Sequence, residues 1–115
     1  MSIMKFKRIT TGIFDDTNEI VLIKGFAARL EYVSKFIITN TDTANVTPKL
    51  RIHNKDRIGE DDEYTQLIPE IELSPNERVV YESPVFAYGN QDLVIELAAS
   101  VTTTQPQYIM VTSNV

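Results

Sequence analysis

The sequence predicts an all-β domain, an antiparallel β-sandwich or jelly-roll-like body of about eight short strands. Three observations predict it. Several segments alternate apolar and polar residues at period two. Val46–His53 is one, with Val46, Leu50 and Ile52 on one face and Thr47, Lys49, Arg51 and His53 on the other. Other segments, such as Leu30–Thr39, are rich in the β-branched and aromatic residues that fit a pleated, half-buried surface. Between them stand clusters of Asn, Asp, Ser, Pro and Gly, which form turns because short polar side chains bond their own backbone and Gly and Pro preset unusual or fixed φ.

Taken in order, Ile3–Thr10 alternates and suits an edge strand or an ordering arm, and residues 1–10 are expected to act as an interaction arm or edge strand. Gly12 and Asp15-Asp16-Thr17-Asn18 are expected to break it. Glu19–Lys24 is a short apolar run of the length of a strand covered on both sides, ended by Gly25. Leu30–Thr39 and Val46–His53 are expected to be the two arms of one hairpin, joined by the turn Asn40–Asn45, with Phe36, Ile38, Val46, Leu50 and Ile52 on its buried face. Asn54–Gln66 is a polar excursion longer than an ordinary hairpin loop. Leu67–Leu73 resumes alternation, and Pro69, lacking a backbone donor, places it at an edge or on a bulge. Ser74-Pro75-Asn76-Glu77 is a turn with proline at its favoured second position. Arg78–Glu82 and Val85–Tyr88 are short strands. Asp92–Ala99 alternates clearly, with Leu93, Ile95, Leu97 and Ala99 facing one way. After the loop Thr102–Pro106, Gln107–Thr112 is the last strand.

Length and composition bound the function. A chain of 115 residues fits one domain, here 1–115, and a body of that size buries roughly two thirds of its extended surface without covalent staples. Cys is absent, which excludes disulfides, thiolate metal sites and cysteine nucleophiles. With 11 Lys and Arg against 16 Asp and Glu, the formal charge of -5 argues against a phosphate-tracking nucleic-acid binder. Lys5, Lys7 and Arg8 read as an ordinary solvated strand face. No apolar run approaches the roughly 20 residues of a membrane helix, and Met1–Arg8 lacks the apolar stretch and cleavage site of a signal peptide. The expectation is a soluble, unprocessed protein with no membrane partner.

Catalytic signals are weak. His53, the single histidine, ends a strand on its polar face and reads as a solvated strand residue, and no Gly-x-Ser-x-Gly turn presents a serine. Glu60–Glu63, with Asn54 and Asp56 upstream, offers hard oxygen ligands suited to calcium. The spacing fails the EF-hand rule because Ile58 stands at a ligand position, so a solvated loop is expected. Glu70 with Glu72, or Glu82 with Glu96, would be needed for glycoside hydrolysis but sit on alternating wet faces. Of Tyr32, Tyr64, Tyr81, Tyr88 and Tyr108, all but Tyr64 fall in predicted strands, where an aromatic is core or a cross-strand partner more often than a sugar platform. Asn45-Val46-Thr47 matches a glycosylation acceptor without a signal peptide to make use of it. No catalytic residue, metal ligand or cofactor is assigned, and the protein is not expected to be an enzyme.

The run Phe36-Ile37-Ile38-Thr39-Asn40-Thr41, the small-residue turn, Val46–Ile52, Leu67-Ile68-Pro69, Leu73-Ser74-Pro75-Asn76-Glu77 and Asp92-Leu93-Val94-Ile95 together resemble a loose group of small tailed-bacteriophage virion proteins, β-sandwich modules of heads, necks or tails. The likeness spans about Gly25 to Thr112. Where the commoner form opens with Tyr-x-Val-Pro-Ala-Gly, this chain has Ile23-Lys24-Gly25-Phe26-Ala27-Ala28. The resemblance implies a non-enzymatic capsid decoration (cement) protein, with a neck, tail or fibre component as the alternative. Its partners would be the major capsid protein or other virion proteins and sister copies, most simply in a trimer. It would be made in the cytoplasm of a bacterial host and reside in the virion. From a different class, a carbohydrate-binding sandwich remains open. The candidate contact residues are Met4, Phe6 and Arg8 on the arm, and Ile58 and Tyr64 on the long loop.

Overall fold

The computed structural model describes residues 7–25, 31–86 and 89–114. They form β1 (Lys7–Ile13), β2 (Ile20–Ile23), β3 (Glu31–Thr39), β4 (Pro48–Asn54), β5 (Tyr64–Gln66), β6 (Arg78–Tyr81), β7 (Gln91–Leu97) and β8 (Gln107–Asn114). A single 3-10 turn, Lys55–Arg57, accompanies them. The strands lie in two sheets, β1-β8-β3-β6 and β2-β7-β4-β5. All ladders are antiparallel, and β1 pairs β8, β2 pairs β7, β3 pairs β6 and β4 pairs β5. The chain is thus a long ribbon doubled at β4–β5 and rolled into two layers, which is a jelly roll. The all-β sandwich expected from alternation is the fold observed.

The core lies between the sheets. Leu93, Ile95 and Leu97 of β7 and Leu50 and Ile52 of β4 face Phe36 and Ile38 of β3 and Tyr108 and Met110 of β8, all at most 9% exposed. Burying an aliphatic or aromatic side chain of this size contributes about 1.5–3 kcal/mol each. Tyr108 is the hub of an aromatic cluster, stacked on Phe36 with ring centroids 5.5 Å apart and edge-on to Phe14 at 6.3 Å. All five residues expected on the buried face of Leu30–His53 are buried.

The expected Leu30–His53 hairpin is not formed. β3 pairs with β6 and β8, and β4 with β5 and β7, so Asn40–Thr47 carries the chain from one sheet to the other. Each arm has one apolar face, and two such faces bury more surface opposed across a core than side by side in one sheet. The ladder between consecutive strands is instead β4–β5, because Tyr64–Gln66, expected in a loop, pairs with Arg51–His53. β3 also departs from strict alternation. A bulge between Val33 and Lys35 leaves Ser34 unpaired in the ladder, so Val33 and Phe36 both point inward, 1% exposed.

Other boundaries shift for identifiable reasons. Gly12 lies inside β1, opposite Tyr108, where a Cβ would stand 2.5 Å from the tyrosine hydroxyl. The glycine leaves room for the ring and does not end the strand. Leu67–Leu73 is not a strand: Pro69 cannot donate to a ladder, and only Leu73 bridges, to Val46. Ile68 and Leu73 are buried while Ile71 is 43% exposed. Val85 likewise makes an isolated bridge, to Val33, and Tyr88 lies outside the described residues. β2 is not covered on both sides, since Val21 is 44% exposed.

One end of the roll, where β3 hands over to β4, is tied by side chains that replace missing ladder partners. Asn40, with no exposed surface, donates through Nδ2 to the carbonyls of Ala44 and Leu73, both at 2.9 Å, and accepts from the Asp42 N–H at 2.8 Å. Asp42 accepts the N–H groups of Thr102, Thr103 and Thr104 at 2.8–3.0 Å. Those bonds, led by Thr102, hold its carboxyl down at about 2. Asp16, at positive φ, accepts from the Val101 N–H and the Gln105 side chain, which lower its carboxyl below the usual range.

Candidate interaction surfaces

Cross-strand register determines which residues share the outer face of the β1-β8-β3-β6 sheet. Residues paired across a ladder point the same way. Because Phe36 and Met110 are paired and buried, their neighbours Ile37 and Ile109 face outward. One row then reads Thr11, Ile109, Ile37, Val80, a second reads Ile9, Val111, Lys35, and a third reads Ile13, Gln107, Thr39, Arg78. Ile9 is 69% exposed and Ile13 58%. Ile109 and Val80 are also exposed. Six aliphatic side chains thus sit on the solvent side of one sheet. A shallow depression of about 390 Å³ at the Ile13 end is lined by Thr11, Gly12, Ile13, Thr39, Gln107, Tyr108 and Ile109. Among the described residues, Lys7, Lys35 and Arg78 are the charged side chains that register places here, and Glu82 approaches Lys35 to 4.0 Å.

The outer face of β2-β7-β4-β5 is different. Arg51, expected in water, is only 8% exposed: it pairs with Glu96, and its guanidinium lies 3.8 Å over the Tyr64 ring. His53, expected to be solvated, is half-buried, stacked on the same ring at a centroid distance of 4.5 Å. Glu19 and Glu63 come within 3.7 and 4.0 Å of its two nitrogens. The Tyr64 hydroxyl donates to Glu19 at 2.9 Å. Burial, then that carboxylate, push the phenol up to about 12. This cluster was not legible in the sequence, because Glu19, Arg51, His53, Tyr64 and Glu96 come from four separate segments with no shared spacing.

Of the five candidate contact residues, three lie among the described residues, in three different places. Met4 and Phe6 lie outside the described residues. Arg8 is exposed on β1, the open edge of its sheet. Tyr64 is engaged within the β4–β5 cluster. Ile58, 71% exposed, stands at the tip of the β4–β5 loop next to Gly59, whose φ of +87° suits a residue without a Cβ. Arg57 bonds Glu60 and Asp62 in this loop, each at 3.2 Å, and Lys55 reaches Asp92 at 3.1 Å. No group of three metal-ligating side chains converges among the described residues. Of the tyrosines considered as a sugar platform, Tyr108 is core and Tyr32 stacks on Phe86 at 5.1 Å.

No family model and no curated protein matches the chain. Solved structures do match. A protein in the structure of Bacillus endospore appendages, described as a family of disulfide-linked pili, aligns with a TM-score of 0.51 at 13% identity, covering 96% of this chain and 86% of that one. A chain of the acid-stable capsid of Helicobacter pylori bacteriophage KHP30 aligns at TM-score 0.47 and 12% identity, covering 100% and 90%. A chain of the cyanophage Pam1 capsid aligns at 0.36 and 13%, covering 96% and 81%. These structural neighbours are thus pilus and phage capsid proteins, and at such identities the likeness is one of fold.

Proposed function

We propose that this chain is a non-enzymatic structural subunit of a bacteriophage virion, most specifically a decoration protein that binds the assembled head. The observation that carries this reading is the aliphatic outer face of β1-β8-β3-β6. Soluble monomers seldom leave aliphatic residues in register across a whole sheet face, and such a face marks a protein contact. Four strands about 4.8 Å apart and about seven residues long span roughly 450 Å², below the roughly 800 Å² per partner of a standard stable interface. A single contact of this size is weak. Repeated around a particle and shared with sister copies, it gains avidity without new chemistry.

The jelly roll is an architecture that serves capsids among other roles, and the sequence resemblance to small tailed-phage virion proteins points the same way. A fold shared with a pilus protein is consistent with a subunit of a repeating assembly. The disulfide linkage described for those pili is closed to this chain, which has no cysteine. The partner surface on this reading belongs to the major capsid protein, and synthesis takes place in the host cytoplasm. Electron cryomicroscopy of purified particles tests the proposal: the domain is expected in many symmetric copies on the head, with the Ile37–Ile109 row against protein. Particles without the chain would overturn the proposal, and a few copies at the neck or tail would move it to the alternative site.

A further inference from the structure

Among the described residues each sheet has two edge strands, and three of the four are blunted in ways that keep a strand from pairing with another chain. β5 is three residues long, β6 is four, and β2 is four with a register break between Val21 and Ile23. β1 is the exception. It pairs with β8 over seven residues without a bulge, contains no proline, and leaves five of those seven exposed. Two bonds show which way its backbone faces. The Phe14 N–H donates to the Pro106 carbonyl at 3.0 Å, and the Thr112 hydroxyl donates to the Arg8 carbonyl at 3.4 Å, so the even-numbered residues turn their N–H and C=O groups towards β8. These groups alternate sides along a strand, and those of Lys7, Ile9, Thr11 and Ile13 therefore point off the open edge.

The side chains of the same four residues lie on the outer face of the sheet. Their order matches a reversed copy of itself. Antiparallel pairing centred on Thr11 sets Ile9 of one copy beside Ile13 of the other, with free N–H groups opposite free carbonyls. It also sets Lys7 beside the exposed Asp15. Asp16, held by Gln105 just ahead of β8, adds to the negative charge that the incoming Lys7 and Arg8 approach. A centre at Thr10 would instead set Ile9 beside Thr11 and Lys7 beside Ile13, losing both matches. We propose that two copies of this chain pair through β1 about a two-fold axis at Thr11, joining two four-stranded sheets into one continuous sheet. The contact is isologous and closes at the dimer. It deepens the reading of the outer face as a protein contact and rests on that reading for its purpose. One copy presents roughly 450 Å², whereas two joined at β1 present about 900 Å², above the roughly 800 Å² per partner of a standard interface. The row Val80, Ile37, Ile109, Thr11 then runs across the axis into its own image.

Sedimentation velocity on the full chain tests it. The parent is expected as a monomer–dimer equilibrium with a Kd of about 1–100 μM, tighter in dilute salt. Thr11→Pro removes an N–H that takes no part in the β1–β8 ladder, so the fold is expected to survive while association weakens at least about tenfold. Lys7→Asp and Asp15→Lys each oppose like charges and are expected to weaken it by about tenfold. A chain carrying both changes restores the pair in reverse and is expected to return to within about threefold of the parent. A parent chain still monomeric at about 1 mM, or a doubly reversed chain that associates no better than either single variant, would overturn the proposal. So would a Thr11→Pro chain that keeps its melting temperature and dimerises like the parent. Dimers of a chain missing from particles would overturn the virion reading and leave this inference standing; particles decorated by a chain that stays monomeric would do the reverse.

Discussion

Asn40 offers the sharpest test of how the two sheets are joined. Its side chain is wholly buried where the chain crosses from β3 to β4, and replacing it with alanine strands two backbone groups and takes one of two bonds from a third. The Asp42 N–H loses its acceptor and the Ala44 carbonyl its donor. The Leu73 carbonyl keeps the Val46 N–H at 3.0 Å. A buried group left without a partner costs about 1–3 kcal/mol, so two full losses and one partial loss place Asn40→Ala at about 3–5 kcal/mol. For a domain of this size that lowers Tm by roughly 10–20 °C. Asn40→Asp restores the acceptor but turns two donors into a carboxylate facing two carbonyls and Asp42, and should be worse still at neutral pH. Urea denaturation followed by circular dichroism measures both, with an unchanged m-value certifying that stability alone has moved. A cost below about 1 kcal/mol for the alanine variant, or an aspartate variant more stable than it, would refute the assignment of Asn40 as the tie at the crossover.

Phe36→Ala empties the stack against Tyr108 and should cost about 3–5 kcal/mol; a negligible change in urea midpoint would mean that its face of β3 does not point inward. Gly12→Ala places a methyl 2.5 Å from the Tyr108 hydroxyl and should cost about 1–3 kcal/mol through overpacking, and an unaltered melting temperature would show that the ring is not held there. Asp42 sets an acid dependence. Its carboxyl is held at about 2 in the fold against 3.8 for an unconstrained aspartate, so as pH falls the unfolded chain takes up the proton first. Stability is then fully present above about pH 5 and drains away as pH falls towards about 2. Asp16 and Glu77, also lowered, act in the same direction, so Asp42→Asn should flatten this dependence in part; acid titrations of melting temperature that superimpose for the two proteins would contradict the role given to Thr102–Thr104.

The fold class was legible because alternation and turn chemistry are local, and they located the inward residues of β4 and β7 without knowledge of their neighbours. Partners were not legible. Nothing in Leu30–His53 distinguishes two strands side by side from two strands facing each other across a core, since both leave the same side chains dry. The Ser34 bulge and the ring beneath Gly12 were equally hidden, because both answer to residues of β8 that are distant in sequence. On the surfaces, Ile58 stood out as an aliphatic residue in an acidic loop. The aliphatic rows on the outer sheet emerged only from register, which brings together Ile9, Ile37, Val80 and Ile109 from four strands.

The rolled topology also governs how the chain must find its shape. Of the six ladders among the described residues, only β4–β5 joins strands consecutive in sequence; the others close loops that reach from one half of the chain to the other. Chains dominated by such distant pairings fold slowly, in about milliseconds to seconds. The segment from Pro48 to Gln66 is the natural place for ordering to begin, with β3 and β6, β2 and β7, and finally β1 and β8 closing outward from it. The loop that carries Ile58 would then be shaped early, while the depression beside Ile13, built on the β1–β8 ladder, would be completed last. The outer face of β1-β8-β3-β6 would be complete only once that last ladder had closed, so a newly made chain would meet a partner through it only after its own fold was finished.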